Sequence, residues 1–70
     1  MIIENEINGL NDFFFAEHEG QAYQFLVESL EKPLLKRVLD LTDGNQLKAS
    51  RILGINRNTL RTRLKRYGIR

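Results

Sequence analysis

The sequence predicts an all-α fold of four helices, and three observations lead to it. Apolar residues recur at helical spacing through the middle of the chain, at Tyr23, Val27, Leu30, Leu34, Val38 and Leu41, in steps of three and four. Two stop-and-start signals, Asp43-Gly44-Asn45 and Gly54-Ile55-Asn56, then cut the remainder into two short helices joined by three residues. Charge is also divided along the chain. Residues 1–31 carry seven acids and no Lys or Arg, a net −7, whereas residues 32–70 carry eleven bases and two acids, a net +9.

Seventy residues, 41 % of them apolar, make one small domain with a thin core. Such a core supplies only about 3–5 kcal/mol, so domains of this size lean on disulfides, metals or a partner chain. The chain has no cysteine, which excludes disulfides, thiol catalysis and every cysteine-based zinc site, and its single histidine, His18, cannot build a metal cluster alone. Oligomerisation is the support that remains, and no metal or cofactor is expected. The longest stretch without a charge, Gly20 to Val27, falls far short of the roughly 20 residues that span a bilayer. The first charges, Glu4 and Glu6, are acidic, so no basic leader is visible and the expected location is cytoplasmic, with no membrane partner.

Residues 1–9 show little periodicity and end on Gly9; they are expected as a tail, a linker remnant or a short extended arm. A first short helix is expected from about Leu10 to Glu19, begun by Asn11 or Asp12 and stopped at Gly20. It holds three consecutive phenylalanines, Phe13, Phe14 and Phe15, which one helix face cannot bury unless a second surface, such as a partner subunit, covers them. Ordinary core packing is the alternative. The second helix, from about Gln21 to Leu41, carries the apolar stripe, widened by Leu26, Leu35 and Leu39. A stripe this broad exceeds what so small a monomer needs and predicts helix pairing between chains. Phe13, Phe14, Tyr23, Val27, Leu30 and Leu34 are the expected dimer-interface residues, within a dimerisation segment spanning residues 10–43. Pro33 lacks an N–H and crowds the carbonyl four residues back, so a kink is expected near Ser29 to Pro33.

Residues 44–70 then read as a helix-turn-helix. Gly44 suits a left-handed cap, and Asn45 is placed to cap a helix from about Gln46 to Leu53. After the turn at Gly54, Asn56 is placed to cap a last helix from Arg57 to about Tyr67, which Gly68 closes. Two helices joined by a three-residue turn containing glycine make this motif. Small Ala49 and Ser50 permit close approach, with Leu47, Ile52, Leu53, Ile55, Leu60 and Leu64 as the expected contacts. Seven bases between Arg51 and Arg70 direct the motif to double-stranded DNA.

On the last helix Leu60, Leu64 and Tyr67 fall within about 60° of one another at 100° per residue and form its buried face. Opposite lie Asn58 and Thr62, flanked by Arg61 and Lys65 on one side and Thr59 and Arg66 on the other. Short polar groups at the centre and long cations at the edges suit a helix in a major groove, with bases at the floor and phosphates at the walls. Arg57, in the first turn, is the candidate for a bidentate guanine contact; Asn56 either reaches a base or only caps. Asn45 and the free N–H groups beside it form an expected phosphate site, with Lys48 adding charge. Arg63 falls beside the buried face and reads as a flank charge, and Glu28, Glu31, Asp40 and Asp43 as a solvated acidic face. No catalytic constellation is visible: His18, Ser29 and Ser50 lack partners at usable spacing, so no enzyme is expected.

From Glu31 to Ile69, and more loosely back to about Ala22, the chain resembles the C-terminal region of the Fis family, with the strings GNQ (44–46), LGINRNTLR (53–61) and LKRYG (64–68) carrying the likeness. The resemblance implies a four-helix protomer, an intertwined homodimer built by the first two helices, and DNA reading by the last two. It implies DNA contacts at Asn45, Asn56, Arg57, Thr59, Arg61 and Arg66. Thr62 stands where Fis has a lysine, Leu47 where it has a threonine and Asp43 where it has an arginine, so fewer phosphate contacts are implied on that flank. The string RNTL (57–60) is that of the DNA-binding domains ending NtrC-type activators of sigma-54 RNA polymerase, whereas Pro33 and GINR (54–57) are features of Fis itself, a DNA-bending protein. The expected identity is a domain from the end of such an activator, with Met1 opening a fragment and the sigma-54 system engaged through domains outside this chain. The alternatives are a free-standing Fis-like nucleoid protein and, more remotely, a dimerisation module without a DNA role.

Overall fold

The computed structural model describes residues 2–69, and all regular structure among them is helical. Five helices follow in order: α1 (Ile2–Asn8), α2 (Asp12–Glu17), α3 (Ala22–Leu41), α4 (Gln46–Leu53) and α5 (Arg57–Tyr67). One more helix is present than the four expected, because α1 occupies residues assigned to a tail. Ile3, Ile7 and Leu10 lie three and four residues apart and line one groove with Leu26, Val27, Leu30 and Pro33 of α3. That row is itself a helical pattern, but at seven residues it is shorter than the window in which periodicity can be read.

The other boundaries follow local chemistry. Asn11 caps α2, its side chain accepting from Phe14 N at 2.9 Å. Gly20, at φ 82°, makes the turn into α3. α3 is helical throughout, including Pro33, whose missing N–H leaves the Ser29 carbonyl without its usual donor. It ends where Asp43 and Gly44 take positive φ in succession, 51° and 80°. The reversed chain lets Gly44 N donate to Leu39 O at 2.9 Å, while the buried Thr42 hydroxyl donates to the carbonyls of Val38 and Leu39. These bonds satisfy carbonyls that a helix end otherwise leaves unpaired.

The core sits at the C-terminal end of the molecule. Leu35, Val38 and Leu39 of α3 pack with Ala49 of α4 and with Leu60 and Leu64 of α5, and Leu53, Ile55, Tyr67 and Ile69 close its edges. Ala49 and Leu60 are wholly inaccessible to solvent, and Ser50 is buried beside them, as close approach of α4 and α5 requires. Leu47 and Ile52, expected among these contacts, are instead exposed, on the outer side of α4. The N-terminal half is different. α2 has no buried residue, and Phe13, Tyr23, Leu30 and Leu34 stay open to solvent. The radius of gyration is 14.3 Å, against about 11 Å for a compact chain of this length.

Two polar side chains are tied down. His18 lies half-buried in an aromatic cluster, stacked on Phe25 at 4.3 Å and 4.5 Å from Phe14. Glu31, expected on a solvated face, is half-buried and receives a hydrogen bond from the Tyr67 hydroxyl, with the Arg63 guanidinium 3.7 Å away. The hydrogen bond to Glu31, partial burial, and the negative charges of Glu31 and Glu28 hold the Tyr67 phenol above its ordinary pKa of 10.0, with Arg66 opposing. The folded chain therefore binds this proton more tightly than the unfolded chain. Its stabilisation is complete below pH 10 and disappears as pH rises through the raised value. Thermal melting of the wild type and Tyr67→Phe from neutral to strongly alkaline pH checks this: the wild type is the more stable at neutrality, and its advantage vanishes above pH 10.

Candidate nucleic-acid interface

The unit that could meet a polyanion is α4, the turn Gly54-Ile55-Asn56, and α5. Gly54, at φ 73°, ends α4, and its N–H and that of Ile55 both donate to Ser50 O, at 2.9 and 3.1 Å. Ile55 then turns inward to the core, which fixes the direction in which α5 begins. Asn56 starts α5, its Oδ1 accepting from Asn58 N at 2.7 Å. Gly68, at φ 66°, ends it, and Ile69 N donates to Leu64 O at 2.9 Å. One face of α5 is therefore locked into the core through Leu60 and Leu64, and the face across from it is directed outward.

All ten residues expected to contact DNA are exposed: Asn45, Lys48, Asn56, Arg57, Asn58, Thr59, Arg61, Thr62, Lys65 and Arg66. Eight belong to α5 and its cap. Asn58, Thr59, Thr62 and Arg66, with Arg63, line one shallow concavity on the helix surface. Asn45 and Lys48 open α4. Among the described residues only Arg63 lies within 4.0 Å of a carboxylate, so Lys48, Arg57, Arg61, Lys65 and Arg66 face solvent without an acidic partner. Unpaired cations on one surface give the long-range attraction that a polyphosphate follows.

Hydrogen bonding within the chain narrows what several of these groups can offer. Asn45 Oδ1 is occupied by Lys48 N at 3.0 Å, which leaves its amide N–H groups and the unpaired N–H groups of Gln46 and Leu47 as donors. Donors alone, at a helix N-terminus, suit an anion. Asn56 caps, and the bond its oxygen accepts from Asn58 N fixes how its amide can turn towards an adenine edge. The Thr62 hydroxyl donates to Asn58 O at 2.9 Å and presents its methyl group and an oxygen lone pair outward. Arg57, at the first position of α5, and Arg61, one turn on, have no such commitment.

Sequence reasoning missed how Arg63 is held. Its position beside the buried face is as expected, but it turns back to α3 and pairs with Glu31. The signal was available only as a distance between residues 32 apart, and periodicity along one helix does not contain it.

Because the cap and the outward-facing amide belong to one residue, they can be separated by substitution. Asn56→Ala should lower folding stability by about 1 kcal/mol, whereas Asn56→Asp, an equally good cap, should change it by only a few tenths. Urea denaturation of the two variants beside the wild type is the measurement. A helix-turn-helix family model described as bacterial regulatory protein, Fis family, matches residues 26–67, from the second turn of α3 to the end of α5.

Proposed function

The chain belongs to the Fis family of bacterial regulatory proteins, and from that premise we propose that it binds double-stranded DNA sequence-specifically, as a homodimer, at the C-terminus of an NtrC-type activator of sigma-54 RNA polymerase. The observation that carries the reading is the contrast between the two sides of α5. One side holds two of the most deeply buried side chains in the chain, Leu60 and Leu64; the other is polar, cationic and entirely exposed. A helix so anchored can enter a major groove without rearranging. The RNTL string at 57–60 supports the activator branch.

Dimerisation rests on exposed apolar surface. A folded monomer of 8.2 kDa exposes about 4,500 Å²; this chain exposes 5765 Å². The excess is concentrated on the N-terminal half, where Tyr23 is 83 % and Phe13 71 % exposed and Val27, Leu30 and Leu34 are open as well. α2 and the N-terminal half of α3 would bury this face against a second copy, and α1 brings Ile3 and Ile7 to its margin. The two α5 helices would then meet successive major grooves on one side of the duplex. A free-standing, DNA-bending Fis-like protein is the second reading, favoured by Pro33 lying within a continuous α3. End-to-end fluorescence transfer across a bound duplex separates the two: strong bending supports the second.

Sedimentation equilibrium should show a dimer at micromolar concentration. Leu30→Ala or Leu34→Ala should cost about 2–5 kcal/mol, seen as a lower, concentration-dependent melting temperature.

DNA affinity should fall steeply with salt. About three cations engaged per protomer give a log–log slope near −5 for the dimer, and a slope shallower than about −2 would place the interface elsewhere. Arg57 and Lys65 should behave differently in titrations on a selected operator and on a scrambled duplex. Arg57→Ala should cost about 1–3 kcal/mol on the operator and little on the scrambled duplex, because its guanidinium can fork onto guanine O6 and N7. Lys65→Ala should weaken both duplexes alike and reduce the salt slope by about one per protomer.

A further inference from the structure

Side-chain hydrogen bonds in this chain are almost all local. Among the described residues nine of the ten join partners no more than four positions apart, as caps, turns or single helical steps. The tenth spans 36 positions: the Tyr67 hydroxyl at the end of α5 donates to Glu31 Oε1 in the middle of α3. The sole ion pair among the described residues ends on the same carboxylate, with Arg63 Nε 3.7 Å from Glu31 Oε2. One carboxylate thus holds two residues of α5, one turn apart, through its two oxygens. The apolar contacts joining α5 to α3, through Leu60, Leu64 and the half-buried Tyr67, with Ile69 just after the helix, resist separation but are non-directional, and so oppose a swing of α5 about them less strictly than a directional bond does. A two-point polar attachment beyond Leu64 opposes that swing.

We infer that Glu31, through Tyr67 and Arg63, sets the angle of the recognition helix relative to the dimerisation helix and so determines the half-site spacing the dimer accepts. This rests on the dimeric DNA-binding reading above. In the proposed two-fold dimer α3 contributes to the interface, and each α5 would reach the groove at a distance and tilt fixed by its attachment to α3. Two recognition helices held rigidly accept half-sites at one separation; two that swing accept neighbouring separations as well. Glu31, Tyr67 and Arg63 are positioning residues in this account. Glu31 and Tyr67 need touch no base, and Arg63 is turned towards α3. The prediction is therefore specific: weakening the attachment relaxes spacing discrimination and leaves the contacts within each half-site in place.

The test uses a duplex selected by the wild-type protein from a random pool, the same duplex with one base pair inserted or removed between half-sites, and a scrambled duplex. Titrations of the wild type, Tyr67→Phe and Glu31→Ala should show the wild type preferring the selected spacing. In the variants that preference should fall about three- to tenfold, the change expected for one lost side-chain hydrogen bond, with binding to the scrambled duplex unchanged. Far-UV circular dichroism and sedimentation equilibrium confirm that each variant is folded and dimeric. Because the chain has no cysteine, an Arg61→Cys background carries one spin label per protomer. Without DNA, the label-to-label distance should be narrowly distributed in that background and broadened when Tyr67→Phe or Glu31→Ala is added. Variants that keep both the spacing preference and the narrow distribution overturn the role of Glu31 while leaving the DNA-binding dimer intact. A wild-type protein that shows no inter-protomer distance, or no preference for any selected duplex, overturns the dimeric DNA-binding reading and the spacing role with it.

Discussion

A side chain larger than a methyl group at position 49 would disturb the crossing of α4 with its neighbours, because Ala49 is wholly enclosed in the core that α3, α4 and α5 share, as is Leu60. That tight crossing lets two helices of eight and eleven residues share one ridge of α3, formed by Leu35, Val38 and Leu39. Neither helix is long enough to be stable alone. Both acquire their order from this contact, and the outward face of α5 is defined by what its inward face must fill. The candidate DNA surface is thus a by-product of packing: Leu60 and Leu64 point in, so Asn58, Thr62 and their cationic flanks point out.

α3 supports two unlike environments along its length. Its C-terminal half is covered by α4 and α5 and carries the three buried residues of the helix. Its N-terminal half bears Tyr23, Val27 and Leu30 in the open, with Leu34 exposed just beyond, α1 lining the same groove and the aromatic cluster of Phe14, His18 and Phe25 nearby. Seven of the nine acidic residues lie in residues 1–31, and all the Lys and Arg residues follow them. A molecule charged in this way meets a polyanion with its helix-turn-helix and turns its acidic, apolar part away.

The capping asparagines connect local folding to recognition. Asn45 and Asn56 each spend their carbonyl oxygen on starting a helix, and each keeps its N–H groups at the outer surface. A cap committed in this way can still donate to phosphate or to a base acceptor, but it reads less than a free asparagine would. Arg57 and Arg61 carry no internal commitment and retain their full hydrogen-bonding capacity for a partner.

The boundaries of α4 and α5 were legible to the residue, and those of α3 to within one, because Asn caps, glycine stops and a long apolar period are local signals written in adjacent positions. The buried face of α5 and the exposed candidate contacts followed from helical geometry alone. What the chain could not reveal as a string were relations between distant residues. Seven residues of α1 gave too short a period to be read, although Ile3, Ile7 and Leu10 form a row against α3. Leu47 and Ile52 were apolar and at plausible spacing, yet α4 has only one side against the core, and Ala49 and Ser50 occupy it. Glu31 looked like one more solvated acid until α5 placed Tyr67 and Arg63 against it. Sequence determined where α3, α4 and α5 begin and end and which side α5 buries, because those depend on neighbours within a turn. Tertiary structure alone decided which polar groups answer one another across helices, because that depends on the crossing that Ala49 permits.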